Sequence, residues 1–239
     1  MQMNVAKCRV ITFTRRQTAV TFNYSLNDMT LVRVTSINDL GIVLVSKLRF
    51  NEHISAITAK ANAMLGFLRR KTAHFDDIHA LKSLFCALVR SVLEHGVQIW
   101  APYHAVHAAR IERIQKRFVR YALRRLPWNN PDLLPPYEHR CALLDLQPLA
   151  SRRVMLQRLF VFDVVMNNID CSYILANIRL HAPTRQLRNR QLLWITSHRT
   201  DYGHNNPLDF CCRLFNEVCV VFDFSISKLV FKNRIKNFI

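Results

Sequence analysis

The sequence predicts an α+β fold that is mainly α: a short antiparallel β region, then a three-helix bundle, then a further helical region. Apolar residues alternate with polar ones up to about residue 44, which is the period of a half-buried strand. From Asn51 onward they recur at helical spacing. Only 4 of the 239 residues are glycine while 50% are hydrophobic, so the chain favours helices around a sizeable core.

The β region is predicted within residues 1–50. The residues that alternate with polar neighbours there include Val20, Phe22 and Tyr24. The tetrapeptide Leu26-Asn27-Asp28-Met29 is typical of a turn between two strands. A short apolar run follows at 40–44, and its Gly41 predicts a place where the backbone approaches another group closely.

Three amphipathic helices are predicted in residues 51–127. We expect Asn51 to cap the first and Asp76 the second, because such side chains accept from the free N–H groups of a first turn. The apolar stripes of these two helices are Ile54, Ile57, Ala61, Met64, Leu65 and Leu68, and Ile78, Leu81, Leu84, Phe85, Leu88 and Val92. Short connections allow three such helices to close into a bundle.

The third helix, His104 to Leu126, has two opposed faces. One face carries Ile111, Ile114, Phe118 and Ala122, with Val119 and Leu126 at its margin. The other carries Arg110, Arg113, Lys116, Arg117, Arg120 and Arg124, with the single acid Glu112 at its edge. Like charges at these spacings repel by a few tenths of a kcal/mol per pair, and a polyanion would relieve that cost.

A proline-rich segment marks the predicted boundary before the last region, 128–239. Its prolines, which make a stiff linker, are Pro127, Pro131, Pro135 and Pro136. Beyond it, Arg152 to Asn168 is apolar almost all round and predicts a buried helix. Asn206-Pro207 is typical of a helix start, and Ser225 is the predicted cap of a last basic helix.

The charge balance points to an anionic partner. The chain has 34 Lys+Arg against 16 Asp+Glu, a formal net charge of +18 and a pI near 10.3, which is typical of proteins that meet nucleic acid or an anionic surface. No apolar run is long enough for a membrane span, so no membrane partner is expected. Seven scattered cysteines without a C-x-x-C motif or secretory signal predict an intracellular protein, nuclear or cytoplasmic rather than secreted.

Catalytic and metal-binding patterns are not found in the sequence. His104 and His107 lie three apart, but no cysteine or carboxylate joins them at ligand spacing, so we expect no metal site and no cofactor. The pair Asp76-Asp77 could be compared with a two-metal carboxylate pair. Adjacent helical residues point in different directions, however, and capping with the favourable helix dipole accounts for both.

Several segments together resemble a known family. These are NVAKCRVITF, YSLND, DLGIVLVSKLRFNEHI, LGFLRR, LVRSVLEHGVQIWAPY, IERIQKRFVRYAL and HRTDYGHNNPLDFCCRLFN. In their order and spacing, from about Asn4 to about Lys232, they resemble the C-terminal portion of the reverse transcriptase, an RNA-directed DNA polymerase, of non-LTR retrotransposons of the jockey-like group. These are mobile elements of insects.

The resemblance implies a role for each region. Residues 1–50 would be the end of the palm, with Lys7 at the lysine that follows the catalytic turn. Leu40, Gly41 and Ile42 would lie at a hairpin that grips the primer end. Residues 51–127 would be the helical thumb against the template–primer duplex, and 128–239 the C-terminal region of the element's protein.

The catalytic aspartates of the family have no counterpart in the chain. They belong upstream of Asn4, and Val45 stands where the primer-grip pattern has an acid. We therefore expect a fragment, begun at an internal Met, that is inactive on its own and keeps sequence-independent binding of RNA, an RNA–DNA hybrid or a duplex. Mg²⁺ is expected only for the full-length enzyme. The alternative is a non-enzymatic helical module that binds nucleic acid or protein.

The β region within residues 1–50 is also expected to self-associate. Without the rest of a palm sheet it would have an unpaired edge and exposed apolar side chains. The side chains expected to be exposed are Val10, Phe13, Phe22 and Ile42.

Overall fold

The structure, a computed structural model, describes residues 4–124, 135–182 and 191–238. The chain forms two compact units, Met1–Lys60 and Ala61–Ile239. Helices dominate and the strands are short, so the predicted α+β, mainly α class is confirmed. None of the described helices is both long and apolar enough to cross a membrane.

The first unit consists of short paired strands after a 3₁₀ turn at Val5–Lys7. The strands are β1 (Arg9–Ile11), β2 (Ser25–Leu26), β3 (Met29–Thr30), β4 (Val32–Val34), β5 (Ser36–Asp39) and β6 (Ile42–Val45). The pairs β2–β3 and β5–β6 are antiparallel hairpins, as expected. The pair β1–β4 is parallel, with Arg9 opposite Val32. The long connection between β1 and β4 makes this orientation accessible, because only a short hairpin enforces the antiparallel one.

Both hairpins turn through two residues with left-handed backbone. These residues are Asn27 (φ 51°) and Asp28 (φ 58°) in the first hairpin, and Leu40 (φ 47°) and Gly41 (φ 84°) in the second. Such turns match the twist of the flanking strands. The turn predicted at Leu26–Met29 is confirmed. Gly41 supplies the left-handed backbone of the second turn, and its interpretation as a point of close backbone approach stays a prediction.

Exposure in the β region follows the prediction at Phe13 and Phe22 but not at Val10 and Ile42. Phe13 and Phe22 are exposed and Val10 is partly buried, whereas Ile42 is only 7% exposed. Strand β6 is followed closely by the first helix, where His53 Nδ1 accepts a hydrogen bond from the Val43 N–H at 3.2 Å. The expected exposure of Ile42 is wrong because the start of this helix lies beside its strand.

The first two helices begin within one residue of their predicted caps. Helix α1 (Asn51–Lys71) starts at Asn51 itself, and α2 (Ile78–Phe85) starts after Asp77. Asp77 rather than Asp76 is the N-cap, since its Oδ1 accepts from the His79 N–H at 2.8 Å. In α1 the predicted stripe is buried apart from Met64, which is half-buried; its buried members are Ile54, Ile57, Ala61, Leu65 and Leu68.

A π-helical turn, Cys86–Arg90, continues α2 and changes which residues are buried. It leads into α3 (Ser91–Glu94), and Gly96 (φ 62°) then separates α3 from α4 (Val97–Trp100). The buried residues of this segment are Leu81, Phe85, Val89, Leu93, Val97 and Trp100. Leu88 is 37% exposed, so its expected burial is wrong, and Val92 is only partly buried, because the wider π turn shifts the buried stripe by one residue.

The basic helix is α5 (Ala105–Leu123), and its predicted apolar face is buried. The Phe118 ring stacks on that of Phe85, with centroids 4.0 Å apart and planes 8° apart. Helix α5 also packs on α6 (Tyr137–Leu143) and α7 (Leu149–Val165). The predicted linker residues Pro127 and Pro131, like Leu126, lie outside the described residues. The segments on either side of that linker pack within the second unit.

The C-terminal half of the second unit is built around α7. It adds α8 (Ser172–Asn177), an antiparallel pair β7 (Arg179–Leu180) and β8 (Leu193–Trp194), α9 (Asp201–His204), α10 (Pro207–Asn216) and α11 (Lys228–Ile235). Phe162, Phe215 and Phe231 form the aromatic centre of this core, and the rings of Phe162 and Phe231 stack 4.7 Å apart. The buried helix predicted from Arg152 is confirmed.

Two predicted helix starts in this half have different outcomes. Asn206 is the N-cap of α10 and Pro207 its first residue, as predicted, with the Leu208 N–H donating to Asn206 Oδ1 at 3.1 Å. Helix α11 is capped by Ser227 instead of Ser225. Ser225 donates its N–H to Asp223 Oδ1 at 3.1 Å, so it belongs to a turn before the helix.

The π turn can be tested with two identical substitutions. Leu93 is fully buried and Leu88 is 37% exposed, so Leu93→Ala should lower the free energy of unfolding by about 2–5 kcal/mol and Leu88→Ala by less than about 1 kcal/mol. Urea denaturation of both variants measures the difference. Equal losses would contradict the observed register.

Candidate nucleic-acid interface

Helix α5 keeps its predicted basic residues in solvent. Arg110, Arg113, Lys116, Arg117, Arg120 and Arg124 are all exposed. On the opposite side Ile111, Ile114 and Phe118 are at most 1% exposed. The orientation of the helix is therefore set by its apolar stripe, and the cations are left on the outer surface.

Glu112 fixes α5 against the start of α7. Its carboxylate accepts from the Leu149 N–H at 2.9 Å, from the Ala150 N–H at 3.0 Å and from the Tyr137 hydroxyl. The residue before α7, Pro148, makes no side-chain cap. Glu112 therefore serves as the cap of a helix that lies 37 residues further along the chain, where a negative charge is also favoured by the helix dipole.

Tyr137 and Gln115 extend this polar contact inside the bundle. Gln115 is fully buried, and its Nε2 donates to Tyr137 Oη at 3.0 Å and to the Gln147 carbonyl at 2.9 Å. Burial, together with the hydrogen bond to Glu112, raises the pKa of the Tyr137 phenol far above its usual value. The phenol therefore stays protonated and remains a donor to Glu112. The sequence pattern did not single out Gln115 or Tyr137.

Four arginines and one tyrosine line an open cleft of about 550 Å³. We call it the arginine cleft; its lining residues are Arg69, Arg117, Arg120, Tyr121 and Arg124. Arg117 and Arg120 come from α5, Arg124 is its C-cap residue, and Arg69 comes from the last turn of α1. The lining that the structure describes contains no carboxylate, so the cleft is strongly positive.

Tyr121 joins the two helices that form the arginine cleft. Its hydroxyl lies 2.8 Å from Thr72 Oγ1 and donates toward the carbonyls of Thr72 (3.1 Å) and Arg69 (3.3 Å). The Arg69 carbonyl belongs to the last turn of α1, and the Thr72 carbonyl, just beyond the helix, also accepts from the Phe75 N–H at 3.1 Å. The guanidinium carbon of Arg69 lies 5.4 Å from the centroid of the Tyr121 ring. The end of α1, and with it Arg69, is thereby held beside α5.

Among the residues that the structure describes, no carboxylate forms a salt bridge with the arginines of the cleft. The salt bridges among the described residues involve other cations, such as Lys82, Arg152 and Arg158. Arg117 donates to the Asn62 side-chain oxygen at 3.0 Å, which fixes its direction without cancelling its charge. A cluster of cations at helical spacing is destabilising when no anion is present.

The remaining cations of α5 lie outside the cleft lining. Lys116 Nζ lies 4.9 Å from the centroid of the Tyr137 ring, a cation–π contact at the other margin of the helix. Arg110 and Arg113 are exposed toward the start of α5. The six predicted residues thus share one exposed face, but only Arg117, Arg120 and Arg124 converge on a concave site.

The residues predicted from the palm-like segment belong to the first unit. Lys7 is exposed at the end of the 3₁₀ turn. Leu40 and Gly41 form the exposed tip of the β5–β6 hairpin, and Ile42 is buried beside it. The predicted hairpin is present, and its primer-grip role stays a prediction.

Potential metal ligands are not clustered in the part of the chain that the structure describes. It contains no group of three or more His, Cys, Asp or Glu side chains placed to hold an ion. The ring centroids of His104 and His107 lie 6.1 Å apart, and the two ring planes meet edge to face at 64°. Asp77 is occupied as the cap of α2.

Sequence reasoning missed two residues of the arginine cleft, Arg69 and Tyr121. Arg69 lies in the last turn of α1, and Tyr121 lies beside Arg120 on α5. A signal existed, because both residues lie near the ends of helices expected to pack together. Their convergence, however, depends on how α1 ends against α5.

No family model, no curated protein and no solved structure matches the chain.

The helix junction at Tyr121 makes a prediction about stability. Tyr121→Phe removes the hydroxyl that binds the end of α1, so the free energy of unfolding should fall by about 1–2 kcal/mol. Tyr103→Phe is the matched control, since the Tyr103 ring is 49% exposed and its hydroxyl makes no hydrogen bond to the described residues. Thermal denaturation measures both, and equal effects would contradict the junction.

Proposed function

We propose that the chain binds nucleic acid without regard to base sequence, through the exposed basic face of α5. The proposed partner is an RNA–DNA hybrid or a duplex, consistent with descent from a retrotransposon reverse transcriptase. The observation that carries the proposal is the arginine cleft, in which four guanidinium groups gather without a carboxylate among the described lining residues.

A phosphate backbone meets the physical requirements of this surface. The exposed cations repel one another, and a row of phosphates offsets that repulsion while releasing condensed counterions. Arginine forks bind phosphate oxygens in pairs, and none of the six residues of the face is needed for the core. Contacts of this kind position a protein on the backbone and do not read the bases.

A triple substitution tests the proposal. Arg113→Gln, Arg117→Gln and Arg120→Gln together should weaken binding to an RNA–DNA hybrid. The log–log slope of affinity against salt should fall in magnitude by up to about one unit per lost contact. Fluorescence anisotropy at several salt concentrations measures both quantities.

The matched control removes the same charge elsewhere in the second unit. Arg179, Arg199 and Lys232 are exposed and do not belong to α5. Their triple replacement by Gln should leave the salt slope close to that of the unsubstituted protein. If the two triple variants lose affinity equally, net charge and not the α5 face accounts for binding.

Polymerase activity provides a separate test. The family's metal-holding aspartates are not matched in these 239 residues, and phosphoryl transfer in polymerases uses two metal ions held by such carboxylates. We expect no nucleotide incorporation by this chain on a primed RNA template with Mg²⁺ or Mn²⁺. Template-dependent extension above a mock preparation would contradict the proposed fragment.

A further inference from the structure

The basic face of α5 has two parts with different shapes. Arg113 and Lys116 are exposed on the convex side of the helix, where a long backbone could run past them. Arg117, Arg120 and Arg124 instead meet Arg69 in a concave site of about 550 Å³. This volume lies within the range of small-ligand pockets, about 300–1,000 Å³. A concave site can enclose one end of a ligand, which a convex row cannot.

We propose that the arginine cleft receives a multiply charged phosphate group, such as the terminal phosphate of a strand or the phosphates of a free nucleotide. The inference rests on the proposed nucleic-acid binding and adds a preference within it. A phosphodiester linkage carries one negative charge, whereas a phosphomonoester carries about −1.5 to −2 at pH 7. Four converging guanidinium groups favour the group with the larger charge in the same space.

The cleft is partly ordered before any ligand arrives. Arg69 lies on the Tyr121 ring at 5.4 Å, and Arg117 is directed by its 3.0 Å hydrogen bond to Asn62. Arg120 lies in the last turn of α5, which is anchored in the core, and Arg124 is the C-cap residue one turn further along. Fixed guanidinium forks lose less side-chain entropy on binding, which strengthens each phosphate contact.

The test compares two oligonucleotides of identical sequence, one with a 5′-phosphate and one with a 5′-hydroxyl, each labelled at the 3′ end. The 5′-phosphorylated strand should bind roughly tenfold more tightly, because its terminal phosphate can accept about one further charge-assisted hydrogen bond. In the variant Arg120→Gln/Arg124→Gln this ratio should fall below about twofold. In the matched variant Arg113→Gln/Lys116→Gln both affinities should fall and the ratio should persist.

Competition separates the two sources of the phosphate group. A nucleoside triphosphate and inorganic tripolyphosphate are added to the protein bound to the 5′-hydroxyl strand and, in parallel, titrated alone by calorimetry. Binding of these small anions that is lost in Arg120→Gln/Arg124→Gln assigns the cleft to free nucleotide phosphates. A preference limited to the phosphorylated strand assigns it to a strand end.

The proposal is overturned if the two oligonucleotides bind equally and neither small anion binds in a cleft-dependent way. That result would leave nucleic-acid binding itself intact if the salt slope still depends on Arg113, Arg117 and Arg120. Loss of all hybrid binding, by contrast, would remove the proposed function. The substituted arginines are exposed, and circular dichroism checks that each variant is folded.

Discussion

The contact on which the second unit depends is the carboxylate of Glu112. It satisfies the first N–H groups of α7 and the Tyr137 hydroxyl, so one acid joins α5, α6 and α7. Because this acid lies at the edge of the apolar stripe, α5 has little freedom to rotate. The stacking of Phe118 on Phe85 holds the same helix from the side of α2. The outward direction of the basic face is a consequence of these buried contacts.

The cations of the second unit fall into two groups, those in salt bridges and those on the exposed face of α5. Cations that support the fold are paired: Arg152 with Glu94, Arg158 with Glu217 and Lys228 with Asp163. Of those on the face of α5, Arg117, Arg120 and Arg124 gather where the described lining has no carboxylate, and the side chain that orients Arg117, Asn62, is neutral. Folding does not need such a cluster. A ligand rich in phosphate would offset the repulsion between these cations, which favours binding. The proposed function therefore centres on this helix.

The sequence was sufficient to predict the structure where local periodicity or a capping residue determines it. The helical spacing of Ile111, Ile114 and Phe118 predicted the buried face of α5, and Asn206-Pro207 predicted the start of α10. It was insufficient where residues far apart in the chain determine the structure. The backbone partners of Glu112 lie 37 and 38 residues away. The arginine cleft forms because the C-terminal end of α1 lies against Tyr121 of α5. The π turn was missed because the alternative stripes through Leu88 and Val89 are both apolar, and only packing selects one.

The most direct measurement of the central claim is a footprint of arginine reactivity. The protein is modified with phenylglyoxal, alone and with an excess of RNA–DNA hybrid, and each arginine is quantified by peptide mass spectrometry. Binding through the α5 face predicts protection of Arg113, Arg117, Arg120 and Arg124, while Arg179 and Arg199, which are also exposed, keep their reactivity. Protection confined to arginines outside α5 and the end of α1, or spread evenly over all exposed arginines, would contradict it.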